Sequence, residues 1–238
     1  MRRLVPIAAV ALAAALPAPA AAATVDVMVV GKQERVLKAP KQVRLKPRTV
    51  RVGGRRCRLG AATPLSALAA RGLRLKLRDY GRCGRRARDA GGLYVRSLAG
   101  QRERGAGGWV YKVGRRLGTT GGADPSGPFG TGRRLRDGQQ VLWFWCVQAS
   151  RCQRTLEVRP DRASAAPGET LRVTVRGYDD LGRGAAVAGA TVRLGGATAV
   201  TSDDGAAALT VPAGTDRATV RAERTGMIPA FPAEVRIG

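Results

Sequence analysis

The chain has 238 residues, with 42 Lys and Arg against 17 Asp and Glu, four cysteines and no histidine. Lacking histidine, it can build neither a Ser-His-Asp nor a Cys-His nucleophile, and no imidazole-ligated metal. The surplus of 25 positive charges points instead to anionic partners.

Arg2 and Arg3 precede an apolar run from Leu4 to Leu16, then Pro17, Pro19 and the small residues Ala20 to Ala23. That order predicts a secretory signal peptide over 1–23, cut after Ala22 or Ala23. The apolar run is shorter than the roughly 20 residues of a spanning helix, and no second one follows. The first cysteine is Cys57, far from the cleavage point, so no lipid anchor is expected. The expected product is secreted and extracellular or associated with the cell envelope, without a membrane span.

Charge divides the remainder. Residues 24–153 carry 29 basic and 7 acidic side chains, a net of +22, whereas residues 154–238 carry 11 and 10. Two units are expected, a basic disulfide-bonded one over 24–150 and a nearly neutral one over 161–238, joined by a linker over 151–160. Cys57, Cys83, Cys146 and Cys152 form an even set, which in an exported chain reads as disulfides. Three pairings are open, and the preferred one joins nearest neighbours, Cys57 with Cys83 and Cys146 with Cys152. The first bridge closes a loop worth about 3.5 kcal/mol in loop-closure entropy. A four-thiolate metal site needs a C-x2-4-C spacing that no pair shows, and no cofactor is expected.

In chain order, Thr24 to Val30 alternates Val25, Val27 and Val29 against Asp26 and Met28, which predicts a first strand. Residues 31–56 are dense in Lys and Arg, and Pro40 and Pro47 break their short alternating pieces, so edge strands or a basic connector are expected there rather than core. Thr63 as N-cap, Pro64 at the first helical position and Gly72 as terminator bound one short helix, with Leu65, Leu68 and Ala69 as its buried stripe. Leu73 to Asp79 alternates leucines against Arg74, Lys76 and Arg78, a half-buried strand. Gly92 to Leu98 and Trp109 to Val113 predict two more. After a Gly-rich stretch and the turn signal Asp137-Gly138, residues 141–147 are apolar on both faces. This strand is expected at the centre of a sheet, covered on each side. Beyond 160, alternation at 171–175, 190–194, 206–211, 218–221 and 233–237 predicts about five to seven short strands of a β-sandwich. The fold class is therefore mainly β, an α+β first unit with one short helix followed by a sandwich.

Several of these stretches carry a resemblance. Thr63-Pro64-Leu65-Ser66-Ala67-Leu68, Gly92-Leu93-Tyr94-Val95, Gly107-Gly108-Trp109-Val110-Tyr111-Lys112-Val113-Gly114 and Leu135-Arg136-Asp137-Gly138-Gln139-Gln140-Val141-Leu142-Trp143 resemble a secreted domain of unknown function, family 4430, related to the C-terminal domain of transcobalamin. The likeness covers about 62–146. Members of that family end the Trp-Val-Tyr strand on an Asn-Gly turn, whereas here it runs into Gly114-Arg115. The resemblance implies a β-grasp-like first unit that binds or covers something without catalysis. Val187-Ala188-Gly189-Ala190-Thr191-Val192 followed by Thr201-Ser202-Asp203-Asp204-Gly205 resembles bacterial immunoglobulin-like or carboxypeptidase-regulatory-like domains, which implies a spacer or adhesive unit.

Candidate chemistry is sparse. The segment 114–134 lacks the G-x4-G-K-[ST] pattern and the following helix of a phosphate loop, but a loop of this length inside a compact unit is commonly functional. It is the first choice for a contact surface. The candidate binding residues are Tyr80, Trp109, Tyr111, Arg115, Arg116, Phe129, Trp143 and Trp145. The four aromatics of the two strands carry two readings, packing in a core or stacking on a sugar or planar ligand. Asp179-Asp180 and Asp203-Asp204 read as turns ahead of a Ca²⁺ site, and the seven scattered acids of the basic unit offer no catalytic pair. Arg55-Arg56-Arg58, Arg82-Arg85-Arg86-Arg88, Arg102-Arg104 and Arg115-Arg116 carry two readings: a solvated surface whose arginine richness follows genome composition, or a face for phosphate, sulfate or carboxylate. Export weighs against nucleic acid. The expected function is non-catalytic binding of an anionic envelope polymer or glycan by the first unit, with the second as spacer. The alternative is a small ligand, corrinoid-like or sugar, held by the aromatic strands and the Gly-rich loop.

Overall fold

The structure, a computed structural model, describes residues 23–148 and 151–238. The expected signal peptide over 1–23, apart from Ala23, lies outside the described residues. In the first half the strands are β1 (Thr24–Val30), β2 (Val36–Arg44), β3 (Arg48–Val52), β4 (Arg55–Leu59), β5 (Leu75–Asp79), β6 (Leu93–Leu98), β7 (Gln101–Arg102), β8 (Gly108–Val113), β9 (Arg116–Leu117) and β10 (Gln139–Cys146), with helix α1 (Pro64–Ala69) after β4. In the second half they are β11 (Thr155–Pro160), β12 (Ser164–Ala165), β13 (Thr170–Tyr178), β14 (Gly184–Ala186), β15 (Thr191–Leu194), β16 (Ala197–Val200), β17 (Ala206–Thr210), β18 (Arg217–Glu223), β19 (Ile228–Phe231) and β20 (Ala233–Ile237). The fold is mainly β, and no helix among the described residues is long and apolar enough to cross a membrane.

The first half is organised by a sheet in the order β2-β1-β10-β8-β9, in which β1 and β10 run parallel and every other pair antiparallel. As the two-faced apolar pattern requires, β10 is central and buried from Val141 to Cys146. Its odd-numbered residues Val141, Trp143 and Trp145 join the α1 residues Leu65 and Leu68 in the first core. The helix is set by its cap, where the Thr63 hydroxyl accepts from the Ser66 amide at 3.3 Å. Around this core lie the hairpin β3–β4 and the small sheet β5-β6-β7. The basic stretch 31–56 does supply an edge strand, β2, but Val43, Leu45 and Val52 are buried in the core. Pro40 sits inside β2, where the pairing with β1 shifts register, and Pro47 lies between β2 and β3, so neither removes the segment from the fold.

Cys57 is bonded to Cys83 and Cys146 to Cys152, with Cα–Cα separations of 5.3 and 5.0 Å. The first bridge pins the arginine-rich loop 80–88 to β4, and the backbone completes the joint where the Arg58 amide donates to the Gly84 carbonyl at 2.8 Å.

In the second half two five-stranded sheets, β14-β13-β11-β19 with β17 also on β13, and β12-β20-β18-β15-β16, pack face to face. Their inward residues, among them Leu171, Val173, Val192, Leu194, Val220 and Val235, share one core. Ten strands replace the five to seven expected. The expected linker over 151–160 needs correction, because Thr155–Pro160 is β11, hydrogen-bonded between β13 and β19. The alternation of Leu156 and Val158 against Glu157 and Arg159 places two side chains in the core and two outside.

The second face of β10 explains what covers it. Leu142, Phe144 and Cys146 join Met28, Val30, Cys152 and Ile228 in a third cluster that joins the two halves. Lys112 lies on that face, opposite Leu142 in the β8–β10 pairing, and is fully buried. Its ammonium donates to Thr155 Oγ1 at 3.1 Å and to the carbonyls of Tyr178 at 2.9 Å and Asp179 at 2.8 Å. All three of its donors are thereby met by the second half.

Candidate functional site

The Gly-rich stretch between β9 and β10 is not an open lid. Its glycines let it lie flat on the first core. The Gly122 carbonyl accepts from Leu65 N at 2.7 Å, and the Tyr111 hydroxyl donates to the Thr120 carbonyl at 2.9 Å. Asp124 closes a turn, accepting from the Ser126 amide at 2.8 Å. Gly127 has φ +85°, and a Cβ there would lie 2.0 Å from the Arg133 carbonyl oxygen. Only glycine lets the chain double back at this point, and the fold-back sets Arg133 and Arg134 beside Pro128 and Phe129. Leu135 then anchors the segment, buried in the core with its amide donating to the Ala62 carbonyl at 3.2 Å. Arg133, Arg134 and Arg136 flank this anchor and stay exposed.

Arg116 on β9 reaches the same place, with its guanidinium 4.8 Å from the centre of the Phe129 ring. Together with Phe129 and Gln139 these residues line a groove of about 680 Å³ that has no Asp or Glu in its lining. None of the eight ion pairs among the described residues uses Arg116, Arg133, Arg134 or Arg136. In the second half, by contrast, Arg159, Arg162, Arg193 and Arg217 each meet a carboxylate. Four exposed arginines lining one groove without a carboxylate among its lining residues have the chemistry to grip oxyanions in bidentate pairs.

Of the sequence-derived candidates, only Arg116 and Phe129 belong to this groove. Trp109, Tyr111, Trp143 and Trp145 are core residues, each 6% exposed or less. Trp109 meets Trp145 edge-on at 5.7 Å between ring centres, and Tyr111 packs on Trp143 at 5.1 Å. The polar atoms of three of them are spoken for: the Trp109 indole N–H donates to the Gln101 carbonyl at 2.9 Å, that of Trp143 to the Pro64 carbonyl at 3.1 Å, and the Tyr111 hydroxyl to the Thr120 carbonyl. The packing reading of these aromatics replaces the stacking one. A cavity does lie among Tyr94, Trp109, Tyr111, Trp143 and Gly122, but it holds only about 160 Å³, short of the roughly 300–1,000 Å³ of ordinary ligand pockets. It gives no room for a corrinoid.

Arg115 turns the other way, into the junction of the two halves. It grips Glu157 with two hydrogen bonds of 2.7 and 2.8 Å and covers the Tyr178 ring at 4.5 Å. Burial disfavours the charged form of Glu157, but hydrogen bonds from Arg115 and Arg159 outweigh it and hold the carboxyl below its usual range. This makes Arg115 a joint rather than a contact residue. Tyr80 is two-thirds exposed, at 67%, with the Arg78 guanidinium 4.8 Å from its ring centre, and it does not line the groove. The acidic pairs of the second half form turns. Asp179 accepts from the amides of Leu181 and Arg183, and Asp204 from the Ala206 amide.

The segment 114–134 singled out from the sequence contains Arg133 and Arg134, but they are not among the candidate residues, and Arg136 lies outside both. Their signal was present as the run Arg133-Arg134-Leu135-Arg136, a buried anchor among cations, but it stood among so many arginines that only the fold separates it. No protein-family model matches the chain, and no curated protein matches it either.

Proposed function

We propose that the protein is a secreted, envelope-associated, non-catalytic module that binds an anionic polymer through the groove of its first unit. The observation that carries this reading is the convergence of Arg116, Arg133, Arg134 and Arg136 on one groove without a carboxylate among its lining residues. The two disulfides suit an oxidising compartment, and the net of +22 over 24–153 favours approach of a negatively charged partner. The second unit, with as many acids as it needs to balance its arginines, serves as a spacer.

The reading is tested by titrating the protein with a polyuronate at about 0.15 M salt, where long-range attraction between exposed charges is largely screened. Binding is expected to persist. The triple change Arg133→Ser, Arg134→Ser and Arg136→Ser is expected to weaken it about tenfold or more, from three exposed ion pairs at up to about 1 kcal/mol each. The same number of Arg→Ser changes in the second unit, at Arg172, Arg183 and Arg221, is expected to leave it unchanged. Equal losses in the two variants would mean that binding follows net charge alone.

A further inference from the structure

The groove is one of several groups of exposed arginines in the first half, and backbone contacts string it together with two of the others. The first group is the hairpin β3–β4, where Arg51 stands directly opposite Arg56 and Thr49 opposite Arg58, with all three arginines exposed. Like charges facing each other across a strand pair oppose the pairing, and Arg51, Arg56 and Arg58 have no carboxylate partner among the described residues.

The second group is the loop after β5, carrying exposed Arg82, Arg85 and Arg86. It is held against the hairpin by the Cys57–Cys83 bridge and by the Arg58 amide donating to the Gly84 carbonyl. That loop continues to Ala87, whose Cβ would lie 3.9 Å from a Cβ at Gly60. Two residues on, the Ala62 carbonyl takes the Leu135 amide at 3.2 Å, between Arg134 and Arg136 of the groove. Hairpin, bridged loop and groove are thus neighbours in sequence of contact, although Arg51 and Arg136 lie 85 residues apart in the chain.

Resting on the groove reading, we infer that these three groups form one cationic track and that its ligand is a linear acidic polysaccharide laid along it, rather than a single small anion. A chain of regularly spaced oxyanions relieves the Arg51–Arg56 opposition and occupies all three groups at once, which a compact anion cannot do. A glycan fits better than a single-stranded nucleic acid, because the track offers no row of free aromatic faces for bases. Trp109, Tyr111, Trp143 and Trp145 are buried, Phe129 carries Arg116 on its face, and Tyr80 carries Arg78.

The test uses the full chain and oligogalacturonates running from a disaccharide to long chains, with single-stranded DNA of matched charge as comparator. Affinity is expected to climb with glycan length. The variant Arg56→Ser, Arg58→Ser, Arg85→Ser lies away from the groove on exposed positions. It is expected to bind the disaccharide like the parent, to bind the long chain at least tenfold more weakly, and to lower the salt slope for the long chain by roughly one per cation removed. Length-independent affinity, with no effect of this variant, would overturn the track while leaving the groove in place. Absence of binding at every length would overturn the groove and the track together. Tighter binding of the single-stranded DNA than of the matched glycan would overturn the assignment of the ligand as a polysaccharide.

Discussion

Replacing Lys112 by alanine is expected to destabilise the protein by about 3 kcal/mol, because it empties part of a buried joint and orphans buried acceptors at about 1–3 kcal/mol each. Lys112 is fully buried, and Thr155 Oγ1 and the carbonyls of Tyr178 and Asp179 all accept from it. The effect has a pH signature. Burial, opposed by the carboxylates of Asp180 and Asp179 and aided by Arg154, lowers the Lys112 ammonium from 10.5 to about 8. Between those two values the unfolded chain holds a proton that the folded chain has released, so stability rises with pH across the window and is lost as the pH falls through about 8. Urea midpoints at the two ends of the window, in the parent and in Lys112→Ala, should show the rise in the parent minus its counterpart in the variant. Identical pH profiles, or an unchanged midpoint in the variant, would remove Lys112 as the peg between the halves.

Trp143→Ala is expected to cost about 3–5 kcal/mol, the range for emptying a large aromatic site in a core. The ring is 2% exposed, packs on Tyr111 and approaches Gly122 so closely that a Cβ there would lie 2.8 Å from it. Trp143→Phe keeps most of the apolar contact but leaves the Pro64 carbonyl without its indole donor, and is expected to cost about 1–3 kcal/mol. A stacking residue for a ligand would behave oppositely, losing binding with little change in stability. Thermal unfolding read beside the polyuronate titration separates the two, since the core role predicts a lower midpoint and unaltered affinity in the folded protein.

The sequence was most legible where pattern and burial have the same cause. Strand β1 was expected at the residues where it lies, the helix follows from Thr63 and Pro64, and the two-faced apolar pattern of 141–147 led to the central position of β10. It was least legible where meaning comes from juxtaposition. Nothing in the spacing of Lys112 separates it from the other cations of the half-buried strands, because its acceptors lie 43 to 67 residues away. The strand Thr155–Pro160 was hidden by its place between a disulfide and a change in composition, cues that read as a linker although Leu156 and Val158 alternate as a strand should. The four aromatics drew attention as contact residues because size and polarity are visible in a sequence and burial is not. Arg133, Arg134 and Arg136 acquire their meaning only from the Gly127 fold-back and the Leu135 anchor.

The groove is tested most directly by following the Nε–Hε NMR signals of the arginines during titration with a hexagalacturonate at about 0.15 M salt. The signals of Arg116, Arg133, Arg134 and Arg136 are predicted to shift and saturate together, while those of Arg172, Arg193, Arg217 and Arg236 in the second half stay in place. Shifts spread evenly over both halves, or a set of shifting arginines that omits these four, would contradict a built anion-binding groove.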